Sequence, residues 1–140
     1  DVGRGQIDYK LRIDDRVEVI EKTNARFPFL LPEKVDLITI DVSFISLTMV
    51  IPEVIQHLGF GRYAVALVKP QFEAKKGKIG KGGIIKDPKI HAEVLGSMVN
   101  WAVSSGLRLR NICRSPILGD AGNQEFFMLF EKPINIHANT

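Results

Sequence analysis

The 140-residue chain is 45% hydrophobic in the AVILMFWYC set and 25% charged, with 12 Gly and 7 Pro, a profile that fits one globular domain and excludes a collagen, a disordered tail or a coiled coil. Its formal charge of +3 is uneven: residues 1–68 hold 8 Lys/Arg against 10 Asp/Glu, a net of −2, and residues 69–140 hold 11 against 6, a net of +5. A single cysteine, Cys113, excludes an internal disulfide, three scattered histidines give no cluster at zinc-ligand spacing, and no apolar run approaches the roughly 18–20 residues of a membrane helix, so a cytoplasmic setting with no metal and no membrane partner is expected.

In chain order, Asp1 to Gly5 has two readings. It is either a nucleotide-binding glycine loop, weakened because Asp8 stands where G-x-G-x-x-G needs its third glycine, or Asp1 is an acid at a strand's carboxyl end, placed to accept hydrogen bonds from ribose hydroxyls. Two β-branched runs, Val17 to Ile20 and Val35 to Ile40, predict strands. Apolar residues at 47, 50, 51, 54, 55 and 58 predict a helix capped by Ser46 and stopped by Gly59, with Pro52 awkward inside it. The nearly all-apolar run Tyr63 to Val68 predicts a strand covered on both faces, hence a largely parallel sheet. A Gly- and Lys-rich loop follows over residues 70–86, where five lysines between Lys75 and Lys86 suggest an anionic partner. Asp87 as N-cap and Pro88 at the first helical position open a second helix to about Ser104, closed by Gly106. Leu107 to Ile112 and Glu125 to Phe130 are the last runs. Their connection is too short for a crossover helix, so they predict an antiparallel hairpin.

The alternation of strands and helices predicts an α/β fold, a Rossmann-like, doubly wound and mostly parallel sheet, over residues 1–133, with an expendable tail at 134–140. Asp41 and Lys69 each follow directly on an apolar run, so parallel strands place both on the carboxyl-end rim. Glu125 opens an antiparallel run, whose beginning lies on that same rim. Three ionisable groups thereby converge on one sheet edge, against the plainer reading that each merely terminates a strand.

Six separated blocks, DVGRGQ (1–6), EKTNAR (21–26), DVSFIS (41–46), LVKPQFE (67–73), GKGG (80–83) and GNQEF (122–126), together resemble the hemolysin A (TlyA-type) family of FtsJ-like RNA methyltransferases, over about residues 1–131. The resemblance implies S-adenosylmethionine-dependent methylation of a ribose 2′-hydroxyl in ribosomal RNA. It also implies a class I methyltransferase sheet, a Lys-Asp-Lys-Glu catalytic set, a glycine-rich cofactor loop and an S4-like RNA-binding domain. Asp41, Lys69 and Glu125 match the last three members of the set. Asp1 matches the acid that holds the cofactor ribose, Asn24 falls by the adenine, and Asp41 borders the cofactor as well. The chain starts beyond the first lysine and the glycine loop, so neither is assigned, and the family's first strand is missing. Its absence leaves the Val35 to Ile40 strand with an unpaired apolar edge; the expectation is that the chain is part of a longer polypeptide or forms a homodimer through that edge.

A ribose hydroxyl is a very weak acid, so its methylation needs a nearby base and in-line placement. Lys69 is the expected base, with Asp41 and Glu125 orienting the amine and holding the hydroxyl. Lys75, Lys76, Lys78 and Lys81 either grip RNA phosphates or form a solvated loop. Phe44 and Phe72 either pack in the core or stack on a displaced base; Trp101 is expected in the core and Cys113 as an inert strand residue. Two other functions compete: a catalytically inactive RNA-binding or assembly module, and a membrane-active hemolysin, which the ordinary core stripes of both helices disfavour.

Overall fold

The computed structural model describes residues 1–134; the expected tail, apart from Ile134, lies outside them. Four strands, β1 (Val35–Ile40), β2 (Leu58–Val68), β3 (Arg108–Arg114) and β4 (Phe126–Glu131), form one sheet in the order β1-β2-β4-β3. β1 and β2 pair in parallel, and β4 runs antiparallel to both β2 and β3. The α/β architecture and the β3–β4 hairpin thus match the reading of the sequence. The sequence did not indicate that β4 is also inserted beside β2.

Two helices cross between the strands, α2 (Leu47–Val54) and α4 (Pro88–Ser104), while α1 (Tyr9–Arg12) and α3 (Pro70–Glu73) are single turns. α4 has the bounds its caps dictate: the Asp87 carboxylate accepts from the Lys89 N–H, Pro88 sits in the first turn, and Gly106 beyond the end adopts φ +80°. α2 starts where expected, with Ser46 accepting from the Thr48 N–H, but ends early. Pro52 removes a backbone donor inside it, and after Val54 the chain tightens into a 3-10 turn over Ile55–His57. Leu58 already belongs to β2, so Gly59 is a strand residue and no helix stop.

The start of β2 carries an irregularity that the sequence hid. Val35 pairs with Leu58 and Leu37 with Tyr63, so part of the intervening β2 stretch bulges out of the ladder. Gly61 inside it has φ +74°, and its N–H donates to the Lys132 carbonyl. Val17 to Ile20, expected as a strand, forms none. Among the described residues no strand lies beside it to supply a ladder; the Val17 N–H donates to the Asp14 carbonyl at 2.9 Å and the Asp1 amine donates to the Ile20 carbonyl at 2.8 Å.

One face of the sheet, through Ile40, Ala66, Val68, Phe126, Met128 and Phe130, packs on Leu47, Val50, Ile51 and Val54 of α2 and on Val94, Met98 and Ala102 of α4. Each large side chain buried there stabilises the fold by about 1.5–3 kcal/mol. The opposite face is only half covered: β2 alternates buried Ala64, Ala66 and Val68 with partly exposed Val65 and Leu67, in place of the two-sided burial expected. Trp101 packs half-buried against the core, and Cys113 is exposed on β3. Among the described residues β1 pairs on one side only, and no helix is long and apolar enough to cross a membrane.

Candidate functional site

The rim where β1 and β2 end and β4 begins gathers the three expected groups. Asp41 follows β1, Lys69 follows β2, and Glu125 precedes β4. The Lys69 ammonium lies 2.8 Å from Asp41 Oδ1 and donates to Ser43 Oγ at 3.0 Å. The Lys69 side chain is only 14% exposed, while that of Asp41 is 69% exposed, so the amine is sheltered and its acid faces water. Glu125 is 7% exposed, and its carboxylate accepts no hydrogen bond among the described residues. Burial pushes its carboxyl above the usual range; the Lys69 charge opposes this and the Asp41 charge adds to it. That three-way coupling places Glu125 electrostatically with the other two.

Ser43 was not singled out from the sequence, although it lies in the same block as Asp41. Glu73 was also missed. From the end of α3 its Oε2 accepts from Ser46 Oγ at 2.6 Å and its Oε1 accepts from the Leu47 N–H at 2.8 Å, which ties the segment after Lys69 to the start of α2. Burial raises its carboxyl also, against the lowering pull of those two bonds.

Between these tied segments Phe44 projects into solvent. It is 87% exposed, its backbone has φ +61°, and its ring meets that of the half-buried Phe72 with centroids 4.9 Å apart at 53°. Core packing is therefore ruled out for Phe44. A non-glycine residue in this left-handed region is strained by about 1–3 kcal/mol, a cost seen mainly at working surfaces. Phe44, Phe72, Ser43, Met49, Asn24 and Val2 help line an open cleft of about 700 Å³. Asn24 therefore reaches it, while its Oδ1 also accepts from the Arg26 N–H. Asp1 lies beside the Glu21–Asn24 segment, accepting from the Thr23 N–H through its carbonyl, and its carboxylate closes a turn with the Gly3 N–H at 2.7 Å.

The lysine-rich loop starts beyond α3. Lys75, Lys76, Lys78 and Lys81 are exposed, and among them Lys78 is engaged in an ion pair with Glu93 of α4. Lys75 and Lys78 border a groove of about 500 Å³ along α4, and Lys78 and Lys81 border a smaller one of about 360 Å³ floored by Ile84, Ile85 and Ile90. Asn123, which is buried, joins this loop to the Glu125 segment: its Oδ1 accepts from the Ile85 N–H at 3.0 Å and its Nδ2 donates to the Gly83 carbonyl at 3.0 Å.

Comparison with known proteins identifies the family. The FtsJ-like methyltransferase family matches residues 1–132. The 16S/23S rRNA (cytidine-2′-O)-methyltransferase TlyA of Mycobacterium tuberculosis is 41% identical over 130 residues, covering 91% of this chain and 48% of that protein. Hemolysin A of Brachyspira hyodysenteriae is 39% identical over 133 residues, covering 93% of this chain and 55% of that protein. A solved structure from Streptococcus thermophilus, provisionally described as a hemolysin, superposes with a TM-score of 0.91 at 41% identity, over 95% of this chain and 49% of that one. The chain spans about half the length of the curated relatives it matches.

Proposed function

This chain belongs to the FtsJ-like methyltransferase family, and from that premise we propose that the intact protein transfers a methyl group from S-adenosylmethionine to a ribose 2′-hydroxyl of ribosomal RNA. The observation that carries the reading is the sheltered Lys69 amine, held between Asp41 and Ser43 beside the buried Glu125.

The residues present fit part of the cofactor. The cleft combines the Asn24 carboxamide and the Ser43 hydroxyl with the faces of Phe44 and Phe72 and the Met49 side chain, a donor and apolar mix that suits a nucleoside. Asn24 would hold the adenine end, Asp1 the ribose hydroxyls, and Asp41 the border with the reacting groups. When bound, S-adenosylmethionine supplies an electrophilic methyl on a cationic sulfur.

In the neutral amine form that general-base work requires, Lys69 Nζ takes up the proton of the ribose hydroxyl as that oxygen becomes the nucleophile, and Lys69 is left as the ammonium that Asp41 and Ser43 hold. Asp41 and Ser43 fix the direction of the amine, and the exposed Asp41 gives it a route for discharging that proton to water. Glu125, whose carboxylate accepts no hydrogen bond among the described residues, holds the hydroxyl against Lys69. Phe44 on Phe72 offers a face on which the base of the target nucleotide stacks, and Lys75, Lys76 and Lys81 hold the flanking phosphates. A transfer assay with tritiated methyl donor and ribosomal RNA tests the reaction. Incorporation at a 2′-hydroxyl is expected, and no incorporation together with no calorimetric heat on cofactor titration would leave an inactive RNA-binding or assembly module.

A further inference from the structure

Gly119 lies in the turn between β3 and β4, six residues before Glu125, and its backbone at φ −84°, ψ −162° is one that any residue adopts. Conformation therefore does not call for glycine here. Space does. A Cβ at this position would fall 2.0 Å from Glu125 Oε1, 2.4 Å from its Cδ and 3.0 Å from Oε2, far inside van der Waals contact. We infer that Gly119 is a positioning residue: the empty space above its Cα is the seat in which the Glu125 carboxylate lies on the rim beside Lys69. The inference rests on the methyl-transfer reading for its catalytic meaning, and its geometry is independent of that reading.

What yields to an added methyl group follows from the surrounding bonds. The Gly119 N–H donates to the Asn123 carbonyl at 2.8 Å, the Gly122 N–H donates to the Gly119 carbonyl at 3.1 Å, and Asn123 is itself pinned to Gly83 and Ile85. The backbone of Glu125 is fixed as well, its carbonyl accepting from the Ser115 N–H at 2.9 Å. Of the groups at this contact, the Glu125 side chain is the one held by no hydrogen bond among the described residues. It is the part that swings away, so the substitution costs the fold little and costs the site its carboxylate.

The test uses Gly119→Ala in the intact protein, with two readouts. Carbon-13 NMR of the Glu125 carboxyl follows its titration without reference to catalysis; the raised wild-type midpoint should move down towards that of an ordinary glutamate as the side chain reaches water. An unchanged titration overturns the inference. In the transfer assay kcat should fall about 10²-fold with the cofactor KM nearly unchanged, and Glu125→Asp, which shortens the side chain by one methylene, should recover part of that loss when combined with Gly119→Ala. Full kcat in Gly119→Ala, or no recovery in the double variant, overturns the inference. A wild type that transfers no methyl group, while the titration still moves in Gly119→Ala, refutes the assigned reaction and supports the seat. Should Gly119→Ala fail to fold, Gly119→Ala combined with Glu125→Ala decides: restored folding supports the clash, and continued failure overturns it.

Discussion

The Lys69 ammonium and the Asp41 carboxylate stand 2.8 Å apart, one sheltered and the other open to water. With one partner open to water, the pair adds only modestly to stability, so the pairing matters chiefly for where the amine points. Lys69→Ala should lower methyl transfer by about 10²–10⁴-fold, the usual worth of a positioned base, with cofactor binding by calorimetry nearly intact. Loss of both together would reassign Lys69 to binding.

Ser43 gives Lys69 its second anchor, at 3.0 Å. A hydrogen bond to a charged group is worth about 1.5–3 kcal/mol, so Ser43→Ala should reduce kcat by about tenfold or more without altering the fold. A variant as active as the wild type would show that Asp41 alone orients the amine.

Glu125 carries a carboxyl whose ionisation burial opposes. With its folded titration raised above the unfolded one, its contribution to stability is complete below the ordinary glutamate range and is lost as pH rises through the folded value. Glu125→Gln, which mimics the neutral form, should therefore raise the urea midpoint at pH 7, with the difference vanishing in acid. The same variant should lose methyl transfer, a gain in stability at the expense of function.

Phe44 and Phe130 are both phenylalanines with opposite environments, 87% exposed and fully buried. Phe130→Ala should cost about 3–5 kcal/mol in urea unfolding, and Phe44→Ala less than about 0.5 kcal/mol. If Phe44 stacks on a base, Phe44→Ala should nevertheless weaken RNA binding by about 1–3 kcal/mol. A large stability loss at Phe44 would remove it from the substrate surface.

Replacing Lys75, Lys76 and Lys81 with Gln should flatten the salt dependence of RNA binding, by about 0.7 in log–log slope for each phosphate of single-stranded RNA that is no longer neutralised. Lys78→Gln should do less, because Glu93 already engages that charge. Equal slopes in wild type and triple variant would mark the loop as merely solvated.

The rim was legible because strand ends are written locally: apolar runs switch to Asp41 and to Lys69, and Glu125 starts another. α4 was legible for the same reason, through Asp87, Pro88 and Gly106. What needed the structure depends on partners distant in sequence. Val17 to Ile20 has a strand's composition and no neighbour to pair with. Ser43 is chosen by a lysine 26 residues away, and the exposure of Phe44 follows from a backbone angle that hydrophobicity does not encode. The seat at Gly119 is a void, which composition cannot display.

Interleaving also sets a timetable. β4 is the last strand of the described residues to leave the ribosome, yet its slot is interior, between β2 and β3. Until it arrives those two strands share no neighbour, and the core lacks Phe126, Met128 and Phe130. Glu125 then has nowhere to sit. On the methyl-transfer reading, a chain whose β4 is not yet in place lacks one of the three charged groups of the rim.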